Sequence, residues 1–270
     1  MAGWGAAAVL LMLFGGVFGI GQMEQPRAPL VIEVIAPEET GLAMGAGAQQ
    51  TERPRVLIYH THTWEAYEMT ADAQYIPTET WRTKDERYNM VRIGEELARW
   101  LSQLGFEVVH DKTAFEPPTL SNAYTRSLAM LEKRMDAAER YDYILDVHRD
   151  AYSGDYNGAN SVSLDGKRLA YVMMLVGKGT GATNSGFDER PDWPKNLDLA
   201  QRITDSMNAQ VEGVSREVKI KTGRSNQHVS TGALLIEVGN NRNTLEEALN
   251  ACEVIAQAIA HVYDEDHPSD

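Results

Sequence analysis

Three stretches of this 270-residue chain share one form, a short apolar run that breaks into polar residues at its end. They are Arg55-Val-Leu-Ile-Tyr-His-Thr-His-Thr-Trp-Glu65, Tyr143-Ile-Leu-Asp-Val-His-Arg-Asp-Ala-Tyr152 and Gly232-Ala-Leu-Leu-Ile-Glu-Val-Gly-Asn-Asn241. A strand buried on both faces of a parallel sheet reads this way, because neither face of it meets water. Its carboxyl end then delivers polar side chains to the edge where open α/β sheets bind ligands. The three runs therefore direct His60, His62, His148 and Glu237 towards one edge, with His148 bracketed by Asp146 and Asp150.

Helical and strand patterns alternate around these runs. Apolar residues recur at helical spacing over 88–104, ending at Gly105, and again over 120–138, 194–214 and from Leu245 to about Tyr263. Further strands are expected at 106–110 and 169–176. The last helix is expected to open on a capping box, with Asn243 as N-cap and Glu246 reaching back. The expected fold is α/β, a single domain with a mostly parallel sheet covered by helices on both faces.

Residues 3–20 carry no charge and are mostly small or apolar, with five glycines. A buried core helix does not fit such a composition at this position. A membrane anchor over residues 1–21 is preferred to a cleaved signal peptide, and either places the rest of the chain outside the cytoplasm. Residues 22–53 carry Pro26, Pro29, Pro37 and several glycines and read as a flexible linker. Within it, residues 30–35 have strand character but are not placed in the main sheet. The candidate catalytic domain spans 54–270.

The formal net charge is -14, from 39 acidic and 25 basic residues, which argues against a nucleic-acid partner. Cys252 is the single cysteine, so no intrachain disulfide or Cys-based zinc site can form, and its helical setting reads as a buried thiol. A metal would need His and carboxylate ligands. Catalytic zinc takes about three protein ligands and keeps one position open. His62 and His148 can supply two imidazoles. The third ligand is Glu65, Glu86 at the start of the first helix, or His60. Glu237, held on an apolar strand, is the candidate to move a proton between water and a leaving amine. His110 reads as a structural histidine. No Gly-x-Ser-x-Gly elbow is present, and Gly177, Gly179 and Gly181 have the wrong spacing for a dinucleotide loop.

Five segments carry a family resemblance: Ile58-Tyr-His-Thr-His-Thr-Trp-Glu-Ala-Tyr67, Tyr88-Asn-Met-Val-Arg-Ile-Gly94, Asp146-Val-His-Arg-Asp-Ala151, Asn226-Gln-His228 and Ala233-Leu-Leu-Ile-Glu-Val-Gly-Asn240. In order and spacing they resemble the stage II sporulation protein P family, itself similar to zinc-dependent N-acetylmuramoyl-L-alanine amidases. The resemblance implies a zinc-dependent peptidoglycan hydrolase that cuts the bond between N-acetylmuramic acid and L-alanine, with endopeptidase activity on cross-linked stem peptides. It implies partners of the stage II sporulation protein D and M types, at the sporulation septum during engulfment. Carried over by position, His148 and His62 match metal ligands, with His60 second to His62. Glu237 matches the catalytic glutamate. The glutamate ligand falls near Glu86, with Glu65 competing. Arg149, Asn226 and His228 are expected to line the substrate groove, although a loop packed on the sheet edge would also explain the last two. The rival function is a non-catalytic cell-wall scaffold that recruits a glycan-cleaving partner.

Overall fold

The structure is a computed structural model that describes residues 53–151, 160–179 and 192–268, together with the backbone of a strand at 33–35. The chain divides into two compact units, Met1–Leu30 and Val31–Asp270, and the described residues all belong to the second. The expected anchor at residues 3–20 lies outside the described residues, as does most of the glycine-rich stretch at 180–191. No helix among the described residues is long and apolar enough to cross a membrane.

The described elements follow in the order β1 (Glu33–Ile35), β2 (Arg55–Tyr59), α1 (Met90–Gln103), β3 (Glu107–His110), α2 (Ala123–Asp136) and β4 (Tyr143–Asp150). The chain continues through β5 (Ser161–Leu164), β6 (Lys167–Ala170), β7 (Val172–Gly177), α3 (Trp193–Gln210), β8 (Lys219–Lys221), β9 (Ala233–Asn240) and α4 (Leu245–Asp266). Seven strands form one sheet in the order β1-β3-β2-β4-β9-β7-β8, and β5 and β6 form a separate hairpin. Strands β3, β2, β4 and β9 run parallel, so their carboxyl ends share one edge. The sheet is mostly parallel, as expected, but β7 runs antiparallel to β9. The apolar run expected as one strand at 169–176 is broken at Tyr171, so that its first part turns into the hairpin.

One correction concerns residues 30–35. Glu33–Ile35 pairs antiparallel with β3 and forms one edge of the main sheet. Without it, the backbone groups along that side of β3 would have no strand partner. The strand lies within the stretch 22–53 that reads as linker.

Alternation along the strands sorts side chains between two cores. Val56 and Ile58 of β2, Leu145 and Val147 of β4, and Ile236 and Val238 of β9 pack against α1, α3 and α4. Leu57, Tyr59, Ile144 and Ala233 face the other way, towards α2. Among the described residues, three helices thus cover one face and α2 covers the other. The Asp111 carboxylate, held below its usual range by Arg134 and Thr113 against the opposing effect of burial, ties the sheet to α2 through Arg134 Nη2 at 2.8 Å.

Local signals explain the helix ends. Asn89 caps α1 by accepting from Val91 N at 3.0 Å, and Gly105 takes the left-handed φ of 94° that ends it. The capping box of α4 sits one residue later than expected: Thr244 is the N-cap, and Glu247 accepts from Thr244 N. Asn243 is instead occupied with the strand end, its Oδ1 accepting from Asn240 N at 2.9 Å. Cys252 is fully buried in α4, as expected.

Alternation also decides His60. One residue past β2, it falls on the face of α1. Its Nδ1 donates to Val147 O at 2.8 Å, leaving Nε2 to accept from His110 Nε2, also at 2.8 Å. Burial pushes His60 down to about 4 and His110 well below its usual value, so both rings are neutral. Gly94 of α1 lies over the pair, and a Cβ there would meet His110 Nε2 at 2.3 Å and His60 Nε2 at 2.6 Å. Gly94→Ala is therefore expected to lower the unfolding free energy by about 1–3 kcal/mol in urea titrations, because ring atoms locked in a core cannot retreat.

Candidate active site

The site lies on the α2 face, at the carboxyl edge of the parallel strands. Its basis is a register: in the ladder between β4 and β9, His148 stands directly across from Glu237. Parallel neighbours in register point the same way, so both side chains project towards α2. Asp146, two residues earlier on β4, shares that face. Strand β4 runs to Asp150, beyond its expected end, so His148 is part of the ladder rather than of a loop.

The segment after β2 brings the other members. The His62 and His148 rings meet edge to face with centroids 5.3 Å apart. Glu65 Oε2 lies 3.6 Å from His148 Nδ1, and Asp146 Oδ1 lies 2.8 Å from His148 Nε2. Tyr124 of α2 stacks on His148 at 6.4 Å and meets His62 edge-on at 5.6 Å. Glu116 reaches within 3.8 Å of His62 Nδ1 and accepts from Trp64 N and from Arg82.

Burial makes the charges of this cluster interdependent. Burial opposes ionisation of Glu65, but the neighbouring His148 and the charge of Arg149 prevail and hold it at about 2. Burial likewise opposes the charge on Asp146, and His148 and Thr61 outweigh it. His148 resists burial in turn and is raised well above its usual value, chiefly by Asp146. His62 is lowered to about 4 by burial and by the neighbouring His148 charge, so it is neutral. Glu237 is raised to about 8, first by burial and then by the carboxylates of Glu65 and Asp150, against the pull of His148 and Arg149. Its Oε2 is buried without a hydrogen-bond partner. Burial pushes the Tyr124 phenol up to about 12, which keeps its proton on at neutral pH.

The structure brings together His62, Glu65, His148 and Glu237. It separates two other expected ligands from them. His60 faces α1 on the opposite side of the sheet. Glu86 is exposed on the turn before α1, where an Arg87–Asp85 side-chain pair, with Arg87 Nε donating to Asp85 Oδ1 at 2.9 Å, keeps the chain at the surface.

The expected groove residues take these places. Arg149 is buried, and its guanidinium donates to Ala66 O, Trp81 O and Asp150 O. It fastens the segment after β2 and faces Glu65, so its donors serve the fold. Asn226, in left-handed conformation at φ 54°, donates from Nδ2 to Tyr124 O and Ser127 Oγ. His228 is half-buried in a short 3₁₀ turn. Tyr124, Glu116 and Asp146 are the site residues that sequence reasoning left without a role. Asp146 had a signal, an acidic residue inside an apolar run beside a histidine. Tyr124 and Glu116 had none, since neither lies near a strand end.

Two imidazoles and an ionised carboxylate form the donor set that catalytic zinc takes. His62 Nδ1 is buried without a hydrogen-bond partner, and Glu65 is held ionised. Among the described residues no three His, Cys, Asp or Glu side chains already stand as a metal-holding group. Metal binding would require His148 to release its proton and the side chains to draw in. In chemistry the donors fit.

The chain matches the family described as Stage II sporulation protein P (SpoIIP) over residues 23–260. It belongs to that family. The Stage II sporulation protein P of Bacillus subtilis (strain 168) is 25% identical over 219 residues, covering 77% of this chain and 51% of that protein. The chain thus spans about half the length of that relative. Among solved structures, an N-acetylmuramoyl-L-alanine amidase from Clostridium difficile 630 matches with TM-score 0.45 and 15% identity, over 81% of this chain and 100% of the other. The amidase AmiC2 of Nostoc punctiforme matches with TM-score 0.42 and 14% identity, over 77% of this chain and 93% of the other. Likenesses this distant carry no functional argument.

The shift of Glu237 has a measurable consequence. An unfolded glutamate loses its proton near 4.5, whereas folded Glu237 keeps it to about 8. Between these values the folded state binds more protons, so Glu237's contribution is fully present below 4.5 and is lost as pH rises towards 8. Glu237→Gln removes that loss. In the metal-free protein it is expected to be more stable than wild type at pH 8, by on the order of a few kcal/mol, and close to it at pH 4.5, as read by urea titration at both pH values.

Proposed function

We propose that this chain is a zinc-dependent peptidoglycan hydrolase that cleaves the amide between N-acetylmuramic acid and L-alanine. The observation that carries the reading is the convergence of His62, Glu65 and His148 beside the buried Glu237, in a chain of the SpoIIP family. His62, Glu65 and His148 are the residues that would hold the metal. When bound, zinc supplies a Lewis acid that polarises the amide carbonyl, acidifies water and draws the pKa of Glu237 downwards. Glu237 takes a proton from the attacking water on Oε2 and passes it to the departing amine. Its low-polarity surroundings make that proton exchangeable near neutral pH. Arg149, close to Glu65, helps keep that carboxylate in place while this happens.

Family membership and the resemblance of the motifs support a reading of the wider setting. Residues 1–21 anchor the chain in a membrane, and the domain acts outside the cytoplasm at the sporulation septum. Peptidoglycan is the substrate, and cross-linked stem peptides are a second one. Proteins of the stage II sporulation protein D and M types are the partners.

The full chain, incubated with purified peptidoglycan, is expected to release stem peptides with a free L-alanine amino terminus, detected by mass spectrometry. Chelator should abolish release and added zinc restore it. Glu237→Gln should lower kcat about 100- to 10,000-fold while leaving bound zinc unchanged. Cleavage that persists in chelator would sink the zinc mechanism. Binding to peptidoglycan without turnover would favour a scaffold that recruits a glycan-cleaving partner.

A further inference from the structure

Asp146 sits at the end of a buried chain of polar groups that the proposed chemistry does not use. Thr61 N donates to Asp146 Oδ1 at 2.8 Å, and Thr61 Oγ1 donates to Oδ2 at 2.7 Å. Thr61 Oγ1 and Ser127 Oγ of α2 are 2.9 Å apart, and Asn226 Nδ2 donates to Ser127 Oγ at 3.0 Å. Thr61, Ser127, Asp146 and Asn226 are all buried. Asp146 Oδ1 is also in ion-pair contact with His148 Nε2 at 2.8 Å, outside hydrogen-bond alignment. Three separate segments, the end of β2, the start of α2 and the turn after β8, are thus tied to one carboxylate, and that carboxylate faces one imidazole. A buried charge that accepts two hydrogen bonds from Thr61, whose hydroxyl is bonded onward to Ser127, cannot move without breaking them.

We propose that Asp146 is the positioning residue of the site: it holds His148 with Nε2 turned inward, so that Nδ1 is presented to Glu65 and His62, and the Asn226–Ser127–Thr61 chain holds Asp146. This rests on the reading of His148 as a metal ligand. The arrangement follows a general pattern in which a histidine's second nitrogen meets a carboxylate that fixes ring orientation and raises ligand strength. It also gives Asn226 a role, since its left-handed backbone places one amide against both Ser127 Oγ and the carbonyl of Tyr124.

Asp146→Asn isolates the charge. The amide oxygen can still accept from Thr61 N and face His148, while the amide N–H donates to Thr61 Oγ1, which then donates to Ser127. Asn226→Gly removes the far end without backbone strain, because glycine takes a φ of 54° freely. The first readout needs no metal. In proton NMR of the metal-free full chain, the His148 Nε2–H is a low-field signal, assigned by its loss in His148→Gln, and it is expected to shift upfield in Asp146→Asn. The second is zinc affinity by competition with a chromogenic chelator. It is expected to fall about 10- to 100-fold in Asp146→Asn, and by less in Asn226→Gly, with melting temperatures of the metal-free proteins close to wild type. An unmoved signal, or zinc affinity within about twofold of wild type at the same melting temperature, would overturn the proposal. If Asp146→Asn does not fold, Thr61→Val decides: a smaller upfield shift supports the role, and an unchanged spectrum overturns it. A wild-type chain that binds no zinc while the signal shifts as expected would remove the metal reading and leave the positioning role standing.

Discussion

Everything at the candidate site depends on the ladder between β4 and β9, which sets His148 opposite Glu237. Both strands lie inside the sheet and are apolar on their other face, where Leu145, Val147, Ile236 and Val238 pack beneath α1 and α4. A slip of one residue would turn those apolar side chains outward and the polar ones into the core, so burial on one face fixes the polar pair on the other. The bulge after His148 comes once the pair is set, and it lets Asp150 meet Asn240 further along.

Placing charges on buried strands costs stability, and the surrounding residues show how the fold offsets it. His148 stands between two carboxylates, Asp146 and Glu65. Glu65 meets Arg149, whose remaining donors hold carbonyls of the segment after β2. That segment is further fixed by Tyr67, whose hydroxyl donates to Val238 O at 2.7 Å, so the loop carrying His62 and Glu65 is fastened to the strands carrying His148 and Glu237. Glu237 is the exception. It has no hydrogen bond to Oε2, and burial outweighs the pull of His148 and Arg149, so its pKa is raised. An otherwise well-paired cluster with one high-energy carboxyl is what proton-transfer chemistry requires.

Among the described residues the cover of the sheet is uneven. Three of the described helices pack on one face and build the larger core, while α2 covers the other. Its first turn brings Tyr124 over the two histidines, and the buried Ser127 and Asn226 keep that turn in place. The same asymmetry separates His60 from His62. They are two residues apart in the chain, yet the first closes a neutral pair under Gly94 and the second joins the site.

The sequence by itself determined the strands, their burial and the polar residues at their ends, because a strand buried on both faces must be apolar throughout and any polar interruption stands out. It therefore pointed to His148, Glu237 and the His60–Glu65 segment, and to helices that the apolar spacing and Gly105 delimit. Only the tertiary structure decided which face each polar residue takes after its strand ends, since β-alternation past Tyr59 depends on where the chain turns. It sent His60 under α1, left Glu86 in solvent on a turn closed by Asp85 and Arg87, and brought in Glu65. It also recruited Tyr124 and Glu116 from a helix and a loop whose local sequence carries no sign of a site, and added β1 to the sheet because the edge of β3 had backbone groups to pair. Local pattern records what each segment must bury. Which distant segments share a charge is decided when the chain closes around it.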